Sequence, residues 1–209
     1  PFSFIPKSSS LTVLNLADNS FTGSIPNNLF DVYIPKIEVF SIGVNCFSGS
    51  LTSNICNAAD LQTLVIPGLG GGRHCQNSLW SDFPILFDTF HFTGFTSKYF
   101  ISGSLPQCLF DMRSLEVLYA GGNKVLGYLP DTLSPSLREI SLPYNALSGE
   151  LPAQLLSSIL TSNLQKLDLA YNRISGDLHR LDTDLIIPED FHLDLKVNDL
   201  SGKIPPSLF

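Results

Sequence analysis

The side chains best suited to chemistry in this sequence are four histidines, four cysteines and one dense run of carboxylates. His74, His91, His179 and His192 are scattered singly, with no pair of histidines at the spacing that places two ligands on one ion, so no zinc site is expected. Asp182, Asp184, Glu189 and Asp190 fall within LDTDLIIPED, an oxygen-rich stretch of the kind that suits Ca²⁺, but the spacing matches no EF-hand loop and reads as a solvated surface. GLGGGRH at residues 68–74 has the glycines of a phosphate loop without the closing Gly-Lys-Ser/Thr, and no long helical pattern follows to supply a dipole. It reads as a loop. No nucleophile elbow, nucleophile–base set or paired-carboxylate spacing is present, so the expectation is a non-enzyme with no cofactor and no metal.

The cysteines carry a different chemistry. Cys46, Cys56, Cys75 and Cys108 all lie in the first half of the chain, where a covalent staple helps most, and they point to an oxidising compartment; buried free thiols are the alternative. Cys75 is expected to be disulfide-bonded, with Cys56 as its first candidate partner and Cys108 as the next. Sequence alone does not fix the connectivity. A net charge of −7 and the lack of Lys/Arg clusters exclude a phosphate-backbone partner, and no apolar run reaches the ~18 residues of a membrane span.

What must position these groups is a repeat. Leu137 to Leu155, LREISLPYNALSGELPAQL, follows the template LxxLxLxxNxLxGxLPxxL, and copies recur from Leu11, Leu115 and Leu164, with another closing the chain. The first apolar places fall at 11, 37, 61, 87, 115, 137, 164 and 190, which makes residues 1–209 one domain of about eight repeats, irregular in the third and fourth copies at 67–101. Leu69 stands where the third copy needs its asparagine. The fourth copy is Phe87, Phe90 and Phe92, continued by Ile101, Gly103, Leu105, Pro106 and Leu109. Phe83, Phe95 and Phe100 join those phenylalanines as expected core, while Trp80 is equally a core and a surface residue on this reading.

The pattern resembles the plant-type subclass of leucine-rich repeats, because GxIP or GxLP follows the asparagine segment. That family is typified by receptor-kinase ectodomains and by secreted inhibitors of cell-wall-degrading enzymes. The resemblance implies an α/β-type repeat solenoid: a right-handed superhelix with one parallel β-sheet on its concave face and few regular helices. It also implies an extracellular or cell-surface module that binds a protein, peptide or glycan.

Within the repeat, LxL alternates inward and outward and so forms a short strand. Strands are expected to centre on Leu14, Phe40, Leu64, Phe90, Leu118, Ile140, Leu167 and Leu193. Asn19, Asn45, Asn123, Asn145, Asn172 and Asn198 then form a ladder bonding backbone groups where the chain turns away. The third, fifth, seventh and eighth places face the concave side. In the early copies these are smooth and nearly uncharged (Val13, Val39, Val65, Val117), whereas the late copies carry Glu139, Lys166, Asp168, Asp194 and Lys196. The expected binding patch is Tyr119, Tyr144, Asp168, Tyr171 and Asp194, since tyrosine among mixed charges is the composition interfaces favour. Neither end reads as a polar cap. Phe2, Phe4, Ile204, Leu208 and Phe209 are therefore candidates for end-to-end stacking in a wall, coat or filament, the chain otherwise being an excerpt of a longer array.

Overall fold

The computed structural model describes residues 2–68, 75, 101–155, 163–178 and 190–204. The repeat period sets its architecture. Each LxL places one apolar residue inward between two outward ones, and seven such strands stack in parallel register: β1 (Val13–Asn15), β3 (Val39–Ser41), β5 (Thr63–Val65), β7 (Val117–Tyr119), β9 (Glu139–Ser141), β11 (Lys166–Asp168) and β13 (His192–Asp194). Leu14, Phe40, Leu64, Leu118, Ile140, Leu167 and Leu193 form one row through them, and the first six are at most 7% exposed. The expected right-handed parallel solenoid is the fold.

A second ladder goes beyond the single sheet expected. The segment after each asparagine forms its own short strand: β2 (Thr22–Gly23), β4 (Cys46–Phe47), β6 (Ser102–Ser104), β8 (Lys124–Gly127), β10 (Ala146–Glu150), β12 (Arg173–Asp177) and β14 (Asp199–Ser201). β2 pairs with β4, and β6, β8, β10, β12 and β14 make a five-stranded parallel sheet. Its glycines are bare for a contact reason. At Gly149, with φ +86°, the ring of Tyr128 from the preceding turn occupies the space a Cβ would take. The convex return is short, as the turn prolines require: one turn of π-helical backbone at Leu29–Tyr33, a 3₁₀ turn at Ser53–Asn57 and α1 at Cys108–Asp111.

One sequence expectation falls on residues that are not described, and one is corrected. The strand expected at Phe90 lies outside the described residues, as do Phe83, Phe87, Phe92, Phe95, Phe100 and Trp80; among the described strands β5 pairs directly with β7. Val117 N–H donates to Gln62 O at 3.0 Å, Ile66 N–H to Tyr119 O at 2.7 Å and Gly68 N–H to Gly121 O at 2.7 Å, so these edges are already joined. Ile101 in turn bridges Gly49, and Ser102–Ser104 pair with Lys124–Leu126. Ile101, Gly103, Leu105 and Leu109 thus complete the turn that β5 opens.

The correction is the disulfide pairing. Cys75 is bonded, but to Cys46 and not to Cys56; Cys56 is bonded to Cys108. Although Cys56 and Cys75 flank β5 in sequence, they sit on different sides of the solenoid. Cys56 lies in the 3₁₀ turn on the convex side and meets the start of α1 in the next turn, whereas Cys75 reaches β4 in the second ladder. Both bonds, with sequence separations of 29 and 52, tie the interrupted turn to the complete one before it.

Candidate functional site

The asparagine ladder fixes the backbone on which the concave face is built. Asn45 Nδ2 donates to the carbonyls of Ile42 (3.0 Å) and Gly43 (3.1 Å) in its own turn and Leu16 (2.8 Å) in the previous one, while Oδ1 accepts the Phe21 amide at 3.0 Å. Asn145, Asn172 and Asn198 repeat this arrangement, and Asn123 donates back to Ile66 O at 2.9 Å. To aim the two local carbonyls at the amide, the chain turns through the left-handed region at the residue just before the asparagine. Asp18, Val44, Tyr144, Tyr171 and Val197 all have φ between +52° and +56°, and Gly122 has +68°. Only glycine takes this conformation freely.

Tyr144 and Tyr171 therefore hold a conformation that costs of order 1–3 kcal/mol for each bulky residue. Their rings stack in adjacent turns, with centroids 4.1 Å apart and planes 10° from parallel. The Lys196 ammonium sits 5.3 Å over the Tyr171 ring, and the Lys196 amide donates to Asp194 Oδ1 at 3.0 Å. One row away, Tyr119, Ser141, Asp168 and Asp194 occupy successive strands at the same register. Ser141 Oγ donates to Asp168 Oδ2 at 3.0 Å, and Asp168 Oδ1 accepts the Ala170 amide. The Tyr119 hydroxyl donates to Glu139, and Lys166 caps the same ring at 5.3 Å. Desolvation, then the hydrogen bond to Glu139 and the charges of Glu139 and Asp168, push the Tyr119 phenol up to about 12.

All five residues expected at the patch thus lie on one continuous surface over β7–β13. The stack, the left-handed backbone and the roles of Glu139, Lys166 and Lys196 were not read from the sequence. Their signal was available in the register, because Lys166 and Lys196 fall on the outward places beside the tyrosines. Toward β1 the same two rows carry Val13, Val39, Thr63 and Val117, and Asn15, Ser41 and Val65. Of the end residues, Phe2 is spent inside the first turn, 4% exposed and stacked on Phe47 with centroids 5.7 Å apart. Phe4 and Ile204 are each 61% exposed, and Leu208 and Phe209 lie outside the described residues. His74, His91, His179, Asp182, Asp184 and Glu189 also lie outside them; among the described residues no group of three His, Cys, Asp or Glu is placed to hold a metal.

With the geometry in hand, comparison with known proteins gives consistent findings. The family model described as Leucine Rich Repeat matches residues 10–32 and 163–183. Receptor-like protein 41 of Arabidopsis thaliana is 30% identical over 154 residues, covering 73% of this chain and 14% of that protein. Receptor-like protein 39 of the same plant is 29% identical over 146 residues, covering 69% and 13%. The chain therefore spans only a small part of the relatives it matches. Among solved structures, the Arabidopsis receptor kinase HAESA, in complex with the peptide hormone IDA and the co-receptor SERK1, superposes with a TM-score of 0.67 at 28% identity, over 94% of this chain and 27% of that one. The plant peptide hormone receptor RGFR1 in complex with RGF2 gives 0.65 at 25%, over 93% and 26%. A plant ice-binding protein gives 0.64 at 17%, over 95% and 60%, a likeness of fold alone.

Proposed function

The chain is a plant-type leucine-rich-repeat domain, and from that premise we propose that it is a non-enzymatic, extracellular recognition module holding a protein or peptide ligand against the late turns of its concave face. The observation that carries this reading is the Tyr144–Tyr171 stack. Two bulky residues occupy left-handed positions where glycine serves in the turn before, and the strain is retained at a surface edge, not in the core. Rigid aromatic surface beside charges already held by Ser141, Glu139 and the two lysines is pre-organised for binding, because little side-chain freedom is left to lose. The likeness to receptor kinases seen with peptide hormones supports a peptide or protein ligand. Two disulfides among four cysteines fit an oxidising compartment.

The test is a random-peptide display selection on the immobilised domain, followed by binding of the enriched peptides to a Tyr144→Ala/Tyr171→Ala variant whose fold is checked by circular dichroism. The expected result is a loss of roughly 2 kcal/mol or more, about thirtyfold in Kd. Enriched peptides that bind the variant as well as the parent would overturn the reading.

A further inference from the structure

The concave face changes character abruptly between β7 and β9. Among the described residues, the outward rows of β1, β3, β5 and β7 carry no carboxylate, ammonium or guanidinium; Glu38 and Glu116 sit beside the strands, and Asp18 takes, in the first turn, the place that Tyr144 and Tyr171 take in later ones. Beneath the rows the floor is smooth by construction. Gly43 is held so close to the next turn that a Cβ would lie 2.7 Å from Pro67 Cδ, and at Gly121 it would lie 2.9 Å from Pro143 Cδ. Val13 remains 52% exposed on this half. From β9 onward every outward strand place except Ser141 carries an ionisable group.

The acids and bases of that second half are not equivalent. Lys166 and Lys196 are drawn over the Tyr119 and Tyr171 rings, with the Lys196 ammonium also 3.9 Å from Asp194 Oδ2, and Asp168 and Asp194 stand side by side at matching register on adjacent strands. Each carboxylate oxygen has two acceptor sites, and the bonds from Ser141, the Ala170 amide and the Lys196 amide, together with the long Lys196 ammonium contact, leave capacity on both groups.

Building on the recognition reading above, we infer that the ligand is an extended peptide lying across the strands in a fixed register. An uncharged, apolar block covers β1–β7, and a cationic residue bridges Asp168 and Asp194. A charge in the block would be desolvated against valine and glycine with no counter-charge in the outward rows of β1–β5, and a carboxylate at the other end would meet two carboxylates. The distances set the spacing. β1 to β7 is three strand steps of about 4.8 Å, which an extended chain at about 3.3 Å per residue crosses in about five residues. β7 to β11 is two steps, so the cationic residue follows the block after about three more.

The probes are synthetic peptides with blocked ends: a block of about five residues drawn from Val, Ala and Thr, a short Gly/Ser spacer, and Arg or Glu at the place the spacing gives, each made in both chain directions. Binding is measured by fluorescence anisotropy. In the better direction the Arg peptide should bind at least about tenfold tighter than the Glu peptide. Asp168→Asn/Asp194→Asn should abolish that preference. Val65→Lys should weaken the Arg peptide, and Val13→Lys, at the more exposed valine, repeats the test should the first variant fold poorly. Equal binding of the Arg and Glu peptides overturns the inference, as does undiminished binding of a peptide with lysine inside the block. Peptides from display selection that depend on Tyr144 and Tyr171 but scatter charge along their length sink this register and leave the recognition reading standing. Loss of dependence on the tyrosines removes both.

Discussion

Asn45 offers the sharpest test of how one turn is tied to the next. Its side chain is fully buried, and its amide satisfies Leu16 O, Ile42 O, Gly43 O and the Phe21 amide, two of which belong to the preceding turn. Asn45→Ala removes two donors and one acceptor that water cannot replace. At about 1–1.5 kcal/mol for each of these three groups, the substitution should destabilise the domain by about 3–4.5 kcal/mol. Asn19 is the matched control, because it is exposed and bonds only the carbonyls of Leu16 and Ala17 in its own turn. Asn19→Ala should stay within about 0.5 kcal/mol of the parent. Asn45→Asp adds a pH signature: an ionised carboxylate there is buried against three carbonyl oxygens, so its folded-state pKa must rise above the unfolded value of about 3.9. A raised folded pKa means stability that is present below the unfolded value and lost as pH rises through the folded one. Urea unfolding followed by circular dichroism at several pH values measures all three variants, and hydrogen exchange at the Phe21 amide reports the local opening. Equal losses for Asn45→Ala and Asn19→Ala, or an Asn45→Asp variant as stable as the parent at neutral pH, would refute the idea that the ladder joins adjacent turns.

Other outcomes follow from the same geometry. Replacing Cys56 and Cys108 together by serine should cost about 4 kcal/mol, and the Cys46/Cys75 pair about 3.6 kcal/mol, from loops of 52 and 29 residues in the chain-entropy model; thermal melts with and without reductant check this, and mass spectrometry of non-reduced peptides checks the pairing. Tyr119 should ionise near pH 12, seen as a late step in ultraviolet titration, and Glu139→Gln should bring it down. Its neutral form is the one the fold favours, so this contribution to stability is complete below the unfolded value of about 10 and disappears as pH climbs to about 12. Gly43→Ala should destabilise by about 1–3 kcal/mol through overlap with Pro67, and an accompanying Pro67→Ala should recover part of it.

The sequence by itself determined the solenoid, because a period-two LxL and an asparagine three residues on recur in phase, and each is a local rule with one spatial outcome. It also placed Tyr119, Asp168 and Asp194 on the concave face, since the alternation that buries Leu118, Leu167 and Leu193 turns their neighbours outward. Only the tertiary structure decided matters that depend on which turn meets which. Residues 69–100 separate two halves of one turn in the chain, yet Leu64 pairs with Leu118, and no local pattern reports a contact across that distance. Phe87, Phe90 and Phe92 carry the repeat spacing in sequence, but spacing does not say which strand lies against β5; the register shows that β7 does. The cysteines went the same way: proximity in sequence favoured Cys56 with Cys75, while their places on different sides of the solenoid gave each another partner. The Tyr144–Tyr171 stack needed both levels. Sequence put a tyrosine before each asparagine, but the left-handed backbone the ladder imposes there, and the close approach of adjacent turns, brought the two rings face to face.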